Sequence, residues 1–159
     1  MNAIGSSESL NEFYASLSAD LRAELASHER VISVPRGYKL LQYGVAPEQL
    51  VIVNSGRVEI SVPSPENEVH LGTVGAGKVF GMRTLVSGEK PEINVTCLEE
   101  CVIATIPAEE FATVLRNNPQ VYFAVAKVLS ADLKIADQLI RACARRNYNS
   151  NRPRAYREV

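Results

Sequence analysis

The stretch "QLVIVNSGRVEISV", residues 49–62, decides the fold. It reads as two short strands rich in β-branched residues, joined at Asn54-Ser55-Gly56. Asn and Gly accept the backbone angles of a tight hairpin, so the pattern predicts a β-hairpin. The same texture continues on both sides. Upstream, "VISVPRGYKLLQYG" mixes β-branched residues with Pro35, Gly37 and Gly44. Downstream come the polar turn "PSPENE", the strand "VHLGTVG", and "PEINVTCLEECVIATIP", which gives two more strands broken at Glu99-Glu100. Short strands separated by frequent turn signals predict a closed or sandwiched all-β core.

Helical periods flank this core. Leu10, Phe13, Leu17, Leu21 and Leu25 recur at steps of three and four, predicting helix over residues 9–30, with Ser18 able to cap a second short segment. After Pro107, "PAEEFATVLRNNP" places acids in a first helical turn and should stop near Asn117-Asn118, before Pro119. "QVYFAVAKVLSADLKIADQLIRACARR" then runs without Gly or Pro and carries two apolar stripes. One is Val121, Val125, Val128, Ile135, Leu139 and Ala142; the other is Tyr122, Ala126, Leu129, Leu133, Ala136, Ile140 and Cys143. A helix packed on one core needs a single stripe. The surplus predicts a homodimer through this helix, with the first stripe as interface. Asp132 interrupts that stripe and calls for a polar partner.

The chain has 159 residues, enough for one domain with a substantial core, and a net charge of −1 that offers no global attraction to nucleic acid or anionic membrane. No apolar run approaches a membrane span, and "MNAIGSSESLNEFY" lacks the basic and apolar regions of a secretory signal. Cys97, Cys101 and Cys143 are odd in number and irregular in spacing, so no disulfide framework is expected and a reducing cytoplasm is the expected location.

"GAGKVFGMRTL", residues 75–85, invites a phosphate-binding reading. A Walker loop fails because Lys78 is followed by Val79 and the glycine spacing is wrong. A dinucleotide fingerprint fails because the spacing is G-x-G-x-x-x-G and the context is all-β. A tight turn that keeps its glycines for backbone reasons is a further reading.

Taken together, "RGYKLLQYG", "VIVNSGRVEI", "GAGKVFG", "LVSGE", "LEECVIATIPAEEFATVL" and "NNPQV" resemble the cyclic-nucleotide-binding domain family in its bacterial Crp/Fnr branch, over roughly residues 10–145. The resemblance implies an eight-stranded jelly roll, a mainly β double-stranded β-helix with flanking helices and a long C-terminal dimerising helix. It implies the organisation 1–30 helical segment, 31–107 β-roll effector domain, 108–146 C-terminal helices and 147–159 Arg-rich tail. It also implies a phosphate-binding cassette at Phe80, Gly81, Met82, Arg83, Thr84 and Leu85, with Glu92 and Asn94 on the following arm. Nucleotide-binding members carry a ribose-binding Glu where this chain has Met82. They carry a phosphate-binding Arg where it has Glu92 or Pro91, depending on alignment. Loss of an Arg–phosphate pair forfeits roughly 2–5 kcal/mol, so cyclic nucleotide is expected to bind weakly and no other cofactor is expected.

His28 and His70 are too few and too far apart in sequence for a cupin-type metal site, and no nucleophile context stands out, so an enzyme is not expected. The stretch "NYNSNRPRAYREV" is too short and polar for a helix-turn-helix, so DNA binding would need a further domain, while its arginines offer a protein partner a docking site. The expected function is a non-catalytic sensor or regulatory domain with a degenerate cassette. The alternatives are a ligand-free dimerisation or docking module, or the effector half of a transcription regulator.

Overall fold

The computed structural model describes residues 12–150; within them the side chains of Glu12, Leu139, Cys143 and residues 147–150 are outside the described set. In chain order come α1 (Glu12–Ala15), α2 (Ala19–Ser27), β1 (Arg30–Val34), β2 (Lys39–Leu41), β3 (Gln49–Ser55), β4 (Val58–Pro63), β5 (Glu68–Val74) and β6 (Val79–Phe80). They are followed by α3 (Met82–Ser87), β7 (Asn94–Cys97), β8 (Cys101–Pro107), α4 (Ala108–Asn117) and α5 (Val121–Ser150). The N-terminal helix expected over residues 9–30 is thus two short helices, its first residues are not described, and Arg30 already belongs to β1. Ser18 caps α2 as expected, accepting from the Leu21 N–H at 3.4 Å. The chain divides into two units, residues 1–129 and 130–159, with the later part of α5 in the second.

Two four-stranded antiparallel sheets, ordered β1-β8-β3-β6 and β2-β7-β4-β5, form the roll. The turn at Asn54-Ser55-Gly56 joins β3 to β4, but these strands lie in different sheets and do not pair, so the expected hairpin is instead a crossing from one sheet to the other. Gly56 makes that crossing feasible. Its φ is +97°, and a Cβ there would lie 2.5 Å from Cys101 Sγ and 3.0 Å from the Glu100 carbonyl oxygen. Any side chain would meet both a strained backbone and a filled space.

The apolar run of β3 is explained by burial on both faces. Leu50 and Ile52 face one apolar layer, with Ala104 and Ile106 of β8. Phe13, Tyr14, Leu21 and Leu25 from the N-terminal helices and Phe111, Val114 and Leu115 from α4 complete that layer. Val51 and Val53 face the interior of the roll with Ile103, Val58, Ile60, Val95 and Cys97. Period-two side-chain alternation assigns successive residues to different cores, which is why no polar residue interrupts "LVIV".

The start of α5 belongs to the helix-side layer. Val121, Ala124, Val125 and Val128 are buried there, and Leu129 packs against it half-buried. This corrects the interface expected from the first stripe: Val121, Val125 and Val128 already have partners within their own chain. Ile135 and Ala142 are of intermediate exposure, and the side chain of Leu139 lies outside the described set. On the other stripe Tyr122, Leu133 and Ile140 stand exposed, Leu133 at 70% and Ile140 at 66%. Beside them Phe123 is exposed and carries Lys127 Nζ 5.1 Å from its ring centroid. The helix runs on to Ser150, four residues into the stretch expected as tail; residues 151–159 are outside the described set.

Candidate functional site

Residues 80–85, where the resemblance implies a cassette, form a strand-to-helix turn. β6 ends at Phe80, Gly81 turns with φ +91°, and α3 begins at Met82. The Gly81 carbonyl oxygen accepts from the Leu85 N–H and from Thr84 Oγ1, each at 2.9 Å, which fixes the first turn. The opening N–H groups of a helix have no acceptor within the helix, so such a turn offers donors. Phe80 points into the roll interior. Gly88, with φ +76°, ends α3 and returns its N–H to the Thr84 carbonyl at 2.9 Å.

The side chains of this turn divide between the two apolar layers and the surface. Met82 is 1% exposed and lies in the helix-side layer with Leu50, Ile106 and Phe111. It therefore packs on the helix side of the sheet rather than in the interior of the roll. Leu85 packs against the same layer. Arg83 is half-exposed; its Nη2 is 2.8 Å from Glu89 Oε2 and its Nη1 3.8 Å from Glu92 Oε2. Glu92 is 74% exposed. Glu89 was legible only as part of a Gly-Glu turn, and nothing in its spacing marked it as a partner of Arg83.

Asn94 is buried, and its amide ties three elements together. Oδ1 accepts from the Tyr43 N–H at 2.7 Å, and Nδ2 donates to Glu68 Oε1 at 2.7 Å. Glu68 Oε1 also accepts from Ser61 Oγ at 2.7 Å. Glu68 and Ser61 were not singled out in the sequence, because a contact between β5 and β7 leaves no periodic trace. The Ser61 and then the Asn94 hydrogen bonds hold the Glu68 carboxyl below the ordinary glutamate range, against opposing desolvation, with Lys39 adding a further attraction. A carboxyl lowered in the folded state contributes stability above its unfolded pKa and loses it as pH falls through the folded value. Urea unfolding of Glu68→Gln is therefore expected to lose less stability on acidification than the wild type. Parallel losses in the two proteins would show that the Glu68 bonds survive protonation.

Other expected chemistry is placed apart from the cassette. His28 Nδ1 is 2.8 Å from Glu110 Oε2, and His70 Nδ1 is 2.6 Å from Glu59 Oε1. Among the described residues no cluster of His, Cys, Asp and Glu could hold a metal. Cys97 and Cys101 are free and buried. Burial, then the hydrogen bond and the charge of Cys101, push the Cys97 thiol up to about 12, so it is protonated near neutrality. Cys101 Sγ donates to the Glu99 carbonyl at 3.3 Å. No helix among the described residues is long and apolar enough to cross a membrane.

Residues 31–118 match the cyclic nucleotide-binding domain family. A cyclic nucleotide-gated potassium channel of Rhizobium etli is 26% identical over 94 residues, covering 59% of this chain and 25% of the channel. The catabolite activator protein of Thermus thermophilus superposes with a TM-score of 0.70 at 20% identity, covering 84% of this chain and 63% of that one. The regulatory subunit of a cAMP-independent protein kinase A from Trypanosoma brucei, in a triple mutant bound to cAMP, gives 0.67 at 20% identity over 79% of this chain and 44% of that one. The chain thus spans a quarter of the channel and under two thirds of either structural neighbour. Those likenesses give the β-roll, and the match over residues 31–118, more than half of the chain, gives the kinship: this protein belongs to the cyclic nucleotide-binding domain family.

Proposed function

We propose that this chain is a non-catalytic sensor or regulatory domain with a degenerate phosphate-binding cassette, which signals in the cytoplasm through a helix-mediated homodimer. The observation that carries this reading is the use made of the cassette side chains. The residue in the ribose-binding place, Met82, is committed to the core, and Arg83 is engaged by Glu89. The backbone half of the cassette is kept and its side-chain half is not.

Coupling to the helix has a physical route. Met82 and Leu85 share one apolar layer with Val121, Ala124, Val125 and Val128. A close-packed layer does not absorb a shift of α3 without repacking, so displacement of the cassette is felt at the start of α5. An effector that prefers one arrangement shifts the population toward it. The dimer interface of this reading is the second stripe. Tyr122, Ala126, Leu129, Leu133, Ala136, Ile140 and Cys143 follow alternate steps of four and three, the spacing of a coiled-coil seam. The Arg-rich tail would serve a protein partner, and DNA contact would need a further domain.

Calorimetry with cyclic AMP and cyclic GMP tests the degenerate cassette. Neither nucleotide is expected to saturate the protein below about 1 mM, a binding free energy near 4 kcal/mol. A micromolar dissociation constant would overturn this reading. Ile93, which packs half-buried against the roll core, favours a second reading in which the domain is a ligand-free dimerisation or docking module.

A further inference from the structure

We propose that Glu89 and Glu92 are specificity-determining residues that close this cassette to phosphate esters by engaging Arg83; this rests on reading the site as an altered cyclic-nucleotide cassette. Arg83 is the cation that the first turn of α3 supplies, and two separate carboxylates meet its two terminal nitrogens, at 2.8 and 3.8 Å. All three side chains are half or more exposed, so the pairs add little to fold stability. Their effect falls on an incoming anion. Such an anion competes with two carboxylates for the guanidinium and sits beside both negative charges.

The carboxylates are held in place by the segment that carries them. The Gly88 N–H donates to the Thr84 carbonyl at 2.9 Å, and the Glu89 N–H to Ser87 Oγ at 3.2 Å. The Gly44 N–H donates to the Pro91 carbonyl at 2.8 Å, and Asn94 is fixed by Tyr43 and Glu68. The segment from 88 to 94 is therefore anchored at both ends and in the middle. The anchored backbone keeps both carboxylates within reach of Arg83, and each disfavours a bound phosphate by about tenfold at surface dielectric.

The test is titration of three proteins with cyclic AMP: the wild type, Glu89→Gln with Glu92→Gln, and that pair combined with Arg83→Ala. The expected result is no saturation by the wild type, a gain of about a hundredfold to sub-millimolar binding in the double variant, and loss of that gain in the triple variant. A folded double variant that still fails to bind overturns the proposal and leaves the degenerate-cassette reading intact. A gain that persists without Arg83 also overturns it. Tight binding by the wild type overturns the degenerate-cassette reading itself. Because the substituted side chains are exposed, a thermal melt suffices to show that each variant is folded.

Discussion

Replacing Leu133 and Ile140 together by Glu is expected to convert a dimer into a folded monomer. Both side chains are among the most exposed apolar groups described, and both fall on the seam with four-and-three spacing. Burying a Leu or Ile contributes roughly 1.5–3 kcal/mol, and a symmetric seam buries each twice. Carboxylates at those places remove that gain and add like-charge repulsion across the axis. A loss of at least about 4 kcal/mol weakens association by roughly a thousandfold. Light scattering should give the mass of two chains for the wild type and of one for the variant, with unchanged helical circular dichroism. Equal masses would remove the second-stripe dimer. Val125→Glu offers the contrast: Val125 is buried in the helix-side layer, so that change should unfold the domain rather than separate two copies.

Met82→Glu is the second large effect. The change installs the acid that nucleotide-binding relatives carry after their Phe-Gly pair, so resemblance alone suggests a gain of function. The structure predicts damage instead. A carboxylate at a position 1% exposed would be taken out of water among Leu50, Ile106 and Phe111. The cost is about 4 kcal/mol, or roughly 12 °C in melting temperature for a domain of this size. Met82→Leu keeps the volume and should cost less than about 1.5 kcal/mol. Calorimetric melting that shows Met82→Glu as stable as the wild type would mean that the side chain turns outward, and the cassette would then regain its ribose contact.

The parts of the fold that local chemistry dictates were readable. The turn at Asn54-Ser55-Gly56 and the Ser18 cap each follow from a residue type whose backbone or hydrogen-bonding preference acts within a few neighbours, whereas the absence of a β3–β4 hairpin was not readable, because distant strands decide the pairing. The direction of Met82 was not readable, because one step in a tight turn sends a side chain into the roll or into the helix-side layer. The role of the first α5 stripe was half-readable. Its periodicity announced burial, but a stripe does not say whether the covering surface belongs to the same chain, and for Val121, Val125 and Val128 it does. The Asn94–Glu68–Ser61 cluster was invisible, since it joins positions brought together only by sheet pairing.

The two-faced strand β3 has one more consequence. Leu50 and Ile52 belong to the layer that holds α3, α4 and the beginning of α5, while Val51 and Val53 belong to the interior of the roll. Neither layer can loosen without withdrawing support from the backbone that the other needs. The roll and the helices packed on it are thereby bound into a single cooperative folding unit, with an uninterrupted run of four apolar residues as their common wall.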